Sequence, residues 1–261
     1  MDIIQAFIIG AVQGVLEWLP VSSSGQGMLL LINFLQANPQ AAFSISIFLH
    51  LGTLLAVLAK YRDELLRLLL NLRWPDPLLR FLLATAIITG LVGLPLYALL
   101  KGFISDAQGM AANALVGALL IITGMALHFS RKKQGGKKME MVGYPEMAAA
   151  GVAQGIAILP GISRSGATIA ALLMMGVEQQ LALKLSFLMS IPAVLGALAL
   201  DFASGDMAAS GFGMQEMAVG VFAAFVFGYF TMGLMLKAAG KIRFDLFCII
   251  FGMLAVLSLI I

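Results

Sequence analysis

This chain of 261 residues is short of charge, with Asp, Glu, Lys and Arg making up 11% of it, where a soluble domain carries roughly 25%. Too few charges are present to coat a water-facing surface, which excludes a soluble enzyme and a disordered chain alike. Cysteine is nearly absent too. Cys248 has no second thiol to pair with, so a disulfide-stapled secreted scaffold is excluded. The opening MDIIQAFIIGAVQG lacks a basic stretch and a small-residue cleavage pattern, and does not read as a removable signal peptide. What is abundant is apolar: 61% of the residues, with 28 glycines and a mean hydropathy of +1.00. That composition predicts an all-α polytopic membrane protein.

Six stretches are long and apolar enough to cross a hydrocarbon core, which takes roughly 20 residues. They run over 43–60, 78–100, 112–130, 181–200, 217–237 and 244–261. Two more apolar regions, about 3–35 and 145–177, are broken midway by Pro, Gly and Ser. Broken backbone at membrane depth is tolerated where protein buries it or a cavity borders it. Each therefore reads as a re-entrant helix–loop–helix hairpin. Thirteen of the sixteen basic residues fall into three connections, around 60–80, 131–138 and 237–243. The positive-inside rule makes those connections cytoplasmic. The acidic connection 201–216, with Asp201, Asp206 and Glu216, is then outside, as are both termini. The basic loops are adequately explained as topology signals, and Trp18 and Trp74 read as interface anchors. No nucleic-acid partner is implied by the net charge of +3.

The broken regions repeat each other. Shifted by 141 residues, GAVQGVLEWLPVSSSG (10–25) falls on GVAQGIAILPGISRSG (151–166) without a gap. Gly10, Gln13, Gly14, Ser22, Ser24 and Gly25 meet Gly151, Gln154, Gly155, Ser163, Ser165 and Gly166. All six identities are polar residues or glycines, which shared hydrophobicity does not produce. The span after the first hairpin runs inward and its counterpart runs outward. The expected architecture is thus a single membrane domain of two inverted-topology repeats, about 1–130 and 145–261. Each repeat has one re-entrant hairpin and three transmembrane helices. In such folds the discontinuous helices meet near the bilayer midplane, with half-helix N-termini facing anionic groups.

Two ionisable residues lie in these loops, Glu17 and Arg164. Each costs roughly 2.5–3.5 kcal/mol at membrane depth on insertion scales, and so needs a partner or a cavity. A structural ion pair between the hairpins is the plain reading. The hydroxyls and glycines around both residues point further, to a phosphate site. Gly25, Gly27 and Gly166 let backbone N–H groups approach an anion at a half-helix start. Arg164 can grip phosphate oxygens bidentately, and the serines add donors and a nucleophile.

At these residues the chain resembles the undecaprenyl-pyrophosphate phosphatase family (UppP, also called BacA). The resemblance rests on Gln13-Gly-Val-Leu-Glu17-Trp-Leu-Pro-Val-Ser-Ser-Ser-Gly25 and on Pro160-Gly-Ile-Ser-Arg-Ser-Gly-Ala-Thr168. It implies an integral membrane phosphatase converting a polyprenyl diphosphate to the monophosphate, which recycles a lipid carrier for surface glycans. It further implies a site open to the outer face and a divalent cation, Mg²⁺ or Ca²⁺, with Glu17 as the metal ligand. By the same resemblance Glu17, Ser23 and Arg164 are catalytic, with Ser23 the proposed nucleophile. Gln13, Ser22, Ser24, Gly25, Gln26, Ser163, Ser165, Gly166 and Thr168 would surround the substrate. The lipid and the membrane are its expected partners, and a second copy of the chain is a further candidate.

Two positions depart from that pattern. Gln13 replaces a first glutamate, and Gln26 stands where familiar members carry a histidine proposed as base. Glutamine cannot take a proton, so Glu17 leads as general base. His50, in FLHLGTLLAV, stands where those members carry glutamine. It is either a base swapped in from the first span or a histidine hydrogen-bonded within the bundle, the commoner case. His128 reads as structural. Two other classes compete: a transporter or flippase of an anionic lipid or small anion, and a member that binds diphosphate lipid without hydrolysing it.

Overall fold

The computed structural model describes residues 2–70, 76–106, 135–205 and 213–238, with scattered helical positions between 115 and 125. The described residues form helices with no strand. In chain order they are α1 (Ile3–Leu16), α2 (Ser23–Leu35), α3 (Pro39–Lys60), α4 (Arg62–Leu70) and α5 (Pro77–Asp106). There follow α6 (Tyr144–Ile156), α7 (Arg164–Met174), α8 (Gln179–Leu188), α9 (Ser190–Ser204) and α10 (Met214–Ala238).

Among the described residues four segments are long and apolar enough to cross a membrane: Pro39–Lys60, Pro77–Leu100, Gln179–Ser204 and Met214–Lys237. This is a multi-pass helical membrane protein. Of the six expected spans, 244–261 lies outside the described residues and 112–130 lies mostly outside them. The same is true of Trp74, His128 and Cys248.

The broken regions form two short hairpins. α1, α2, α6 and α7 have 14, 13, 13 and 11 residues, or about 16–21 Å at 1.5 Å per residue, too short to span. Each second arm starts on a serine cap. The Ser22 hydroxyl accepts from the N–H of Gly25 at 3.3 Å, and the Ser163 hydroxyl from the N–H of Gly166 at 3.1 Å. The loops differ in how they turn. The second uses Gly161 at φ 108°, open to glycine at no steric cost. The first uses Ser22 at φ 55°, a left-handed conformation that a non-glycine residue adopts at a cost of roughly 1 kcal/mol or more.

The first arms pack outward in matching fashion. α1 lies along α10, and α6 lies along α5. At the first contact a Cβ on Gly14 would stand 2.6 Å from the carbonyl oxygen of Ala224 and 2.7 Å from the nitrogen of Gly228. At the second, a Cβ on Gly155 would stand 2.6 Å from the Cβ of Val92. The paired glycines at 14 and 155 therefore let the helix backbones close up.

Three features differ from the sequence expectations. The span expected over 181–200 is two helices, interrupted at Met189. Pro192 has no N–H to offer the preceding turn, the Ser190 hydroxyl donates to the carbonyl of Phe187 at 2.6 Å, and Gln154 Nε2 donates to the Met189 carbonyl at 3.0 Å. The connection after α3 holds a helix, α4, which turns Leu65 and Leu68 inward and leaves Leu66, Leu69 and Leu70 exposed. Lys184 on α8 ties it down through Glu64 at 2.7 Å. Finally, Trp18 is not an interface anchor. It is 1% exposed, donates from Nε1 to the carbonyl of Gly228 at 2.8 Å and meets the Phe187 ring edge-on.

Candidate active site

The two hairpin loops meet at the floor of a cavity of about 490 Å³. Glu17 stands at its centre as the C-cap of α1, only 4% exposed. Its Oε1 pairs with Arg164 Nη2. Its Oε2 accepts from Ser23 Oγ at 2.5 Å and from Gln13 Nε2 at 2.8 Å, and lies 3.2 Å from His50 Nε2. One carboxylate thus draws on α1, α2, α3 and α7 at once. The hydrogen bond from Ser23 is the short, charge-assisted kind in which a hydroxyl is set up to lose its proton.

Arg164 is the first residue of α7. Its Nη1 donates to the carbonyl of Ser186 at 3.3 Å, and its guanidinium carbon lies 5.7 Å from the centre of the Trp18 ring. Stacked, paired and hydrogen-bonded, it is fixed in direction. Ser186 and Trp18 complete this support, and neither was singled out for it from sequence. Both directly adjoin Arg164 only through tertiary packing; the nearest sequence cue was the position of Trp18, one residue after Glu17.

The two half-helices start side by side. Helix geometry leaves the N–H groups of Ser23 and Ser24, and of Arg164 and Ser165, without intrahelical acceptors. Ser22 joins the loops directly, its hydroxyl also accepting from the N–H of Gly161 at 3.0 Å. Glu17, Ser22, Ser23, Ser24, His50, Ser163 and Arg164 all line the cavity. The other expected residues stand behind it. Ser163 and Ser165 share a hydrogen bond at 3.2 Å and both reach the carbonyl of Leu19. Thr168 Oγ1 bonds the carbonyl of Arg164 at 2.8 Å and the hydroxyl of Ser186 at 2.7 Å. These groups brace the loops. Gly25 and Gly166 supply the capped N–H groups, and Gln26 leaves its Nε2 buried without a partner among the described residues.

His50 enters from α3. Its Nδ1 is 2.6 Å from the carbonyl of Ser46, an acceptor, so that nitrogen carries a proton and Nε2 is turned to Glu17. The imidazole therefore stands beside the carboxylate, on the side opposite Arg164 in the bonding pattern.

The donor set does not fit a resident divalent cation. Mg²⁺ and Ca²⁺ take oxygen ligands, with carboxylates prominent among them. Among the described residues Glu17 is the sole carboxylate lining the cavity, and both its oxygens already face donors, a guanidinium among them. Among the described residues no three His, Cys, Asp or Glu side chains converge.

Comparison with known proteins bears on this arrangement. The profile of the family described as bacitracin resistance protein BacA matches residues 6–257. An undecaprenyl-diphosphatase of Methanothrix thermoacetophila is 43% identical over 256 residues, covering 97% of this chain and 96% of that protein. One from Methanococcoides burtonii is 40% identical over 273 residues, covering 99% of each. One from Carboxydothermus hydrogenoformans is 39% identical over 246 residues, covering 92% and 90%.

Proposed function

The chain belongs to the BacA family, and from that premise and the site we infer that it is an undecaprenyl-diphosphatase. It hydrolyses a polyprenyl diphosphate in the membrane to the monophosphate and phosphate, returning a lipid carrier to surface-glycan synthesis. The observation that carries the chemistry is the Glu17 cluster: one carboxylate holds a serine hydroxyl on one oxygen and an arginine on the other.

Diphosphate entering the cavity meets Arg164 and the N–H groups of two half-helices, which stabilise charge on the transferring phosphoryl group. Ser23 Oγ attacks the terminal phosphorus as Glu17 takes its proton, and the polyprenyl monophosphate leaves. Water then releases phosphate from the serine. In the second reading water occupies the place of Ser23 and Glu17 activates it directly. Positioning and charge stabilisation carry most of the rate in either case. A divalent cation, where one takes part, comes with the phosphates and not from a ligand set of this chain.

We place the cavity mouth on the outer face. Its walls use α3 from Phe43 to His50, α5 from Ala86 to Tyr97 and α9 from Pro192 to Leu200, while Lys60 and Arg62 follow the far end of α3 and Arg80 opens α5. The positive-inside rule supports that orientation.

The test is phosphate release from a long-chain polyprenyl diphosphate by the purified protein in detergent. Release is expected. No release, accompanied by movement of the lipid across liposomes, would replace the hydrolase with the transporter reading.

His50 is a positioning residue in this scheme, holding the Glu17 carboxylate from Nε2 so that Oε2 stays aimed at Ser23. His50→Ala is expected to lower kcat about a hundred-fold. The exchange Gln26→His with His50→Gln should restore part of that loss, because it returns an imidazole to the neighbourhood of the serine loop. Full activity in His50→Ala removes the role, and a loss that the exchange leaves untouched reduces His50 to packing.

A further inference from the structure

The polar floor occupies only the base of the cavity. Above it the lining is mostly apolar, and it includes the small residues Ala86, Gly90 and Gly93 on α5 and Ala193, Gly196 and Ala197 on α9. A Cβ built on Gly90 or on Gly196 meets nothing within 4 Å. The contrast is Gly52 on α3, where a Cβ would stand 2.3 Å from the carbonyl oxygen of Val221 on α10. So α3 and α10 are in close contact, whereas α5 and α9 touch at few places and leave a slot between them. The slot reaches the outside of the bundle, since Gly196 and Leu94 border the cavity and are themselves exposed.

A second observation marks where the polar part ends. Gln154, 3% exposed, lies in the cavity wall with Nε2 held by Thr89 Oγ1 and the Met189 carbonyl. That fixes the amide orientation, because a carbonyl can only accept. Oε1 is left without a donor among the described residues. A buried acceptor of this kind calls for a donor on a bound group, such as a water on the phosphates. Above this level the lining is apolar.

We propose that the slot between α5 and α9 is the binding site for the first isoprene units of the lipid, with Gly90 and Gly196 setting its width. The proposal rests on the diphosphatase reading and names where that substrate's tail lies. An amphipathic ligand suits a cavity whose floor is charged and whose walls are apolar, and the volume is typical of sites that bury a ligand of roughly drug size. The remainder of the chain then runs out between the helices into lipid. Glycine is needed at both positions because a side chain there would occupy the path of the tail.

Gly90→Leu and Gly196→Leu test the idea against two substrates, a long-chain polyprenyl diphosphate and methyl diphosphate, which carries the same phosphates and no isoprene unit. The expected result is a fall in kcat/KM at least about ten-fold larger for the long chain, carried by KM. Leu99→Ala, on an exposed part of α5 away from the cavity, is the control. Equal losses on both substrates, or no loss on either, would overturn the assignment. A photoactivatable polyprenyl diphosphate, cross-linked to the unaltered protein, gives a readout independent of turnover and of variant folding. Adducts on α5 near Leu94 and on α9 near Ala197 support the slot, and adducts confined to the outer faces of α3 and α10 overturn it. If the unaltered protein releases no phosphate from either substrate yet cross-links in the slot, the hydrolase reading fails and the tail site stands.

Discussion

Replacing Glu17 by glutamine is expected to lower turnover about a thousand-fold, measured as phosphate release in detergent. The amide keeps the size of the side chain and an oxygen for Arg164. It loses the ability to draw a proton from Ser23, now 2.5 Å away. It also removes the negative charge that balances a guanidinium only 14% exposed, so a lower thermal unfolding temperature should accompany the loss. Ser23→Ala tests the same unit. If the serine is the attacking group, the double variant should be little worse than either single one, since residues that act together lose their effect together. Multiplying losses would instead assign the attack to water. A Glu17→Gln protein with more than a tenth of the original turnover would end the general-base role.

Arg164→Lys is expected to be as damaging, with about a thousand-fold lower kcat. Lysine keeps the charge and loses the geometry. Arg164 addresses Glu17 through one terminal nitrogen and the Ser186 carbonyl through the other, with its plane near Trp18. An ammonium group cannot hold both partners and still present a planar fork to phosphate. A loss confined to KM would show that Arg164 serves ground-state binding alone and has no special hold on the transition state.

Glu17 and Arg164 were legible in the sequence for an energetic reason. A charge inside an apolar run demands compensation, and two such charges on matching loops are each other's nearest solution. Ser22 and Ser163 were singled out through the family motif, and only the structure shows that they also cap the half-helices. The interruption at Met189 was legible only through Pro192; the amide of Gln154, which holds the Met189 carbonyl, comes from elsewhere in the chain. Trp18 was misread because amphipathic rings favour interfaces on average, whereas here a single buried carbonyl, that of Gly228, satisfies the indole. The surroundings of Glu17 were not legible either: sequence shows a carboxylate, and only the packed helices show the four groups, on Gln13, Ser23, His50 and Arg164, that face it.

The crossing of the hairpins has a mechanical consequence. The arm α1, from the N-terminal half, is seated on α10 of the C-terminal half, and α6 of the C-terminal half is seated on α5 of the N-terminal half. Alternating access in repeat-built carriers works by rocking one half against the other around a fixed site. Here such a motion would drag both arms off their glycine seats and strip the Ser22 hydroxyl from the N–H of Gly161. The halves are dovetailed, and a dovetailed bundle resists opening first to one side and then to the other. It suits a stationary workbench to which the lipid comes and from which it goes.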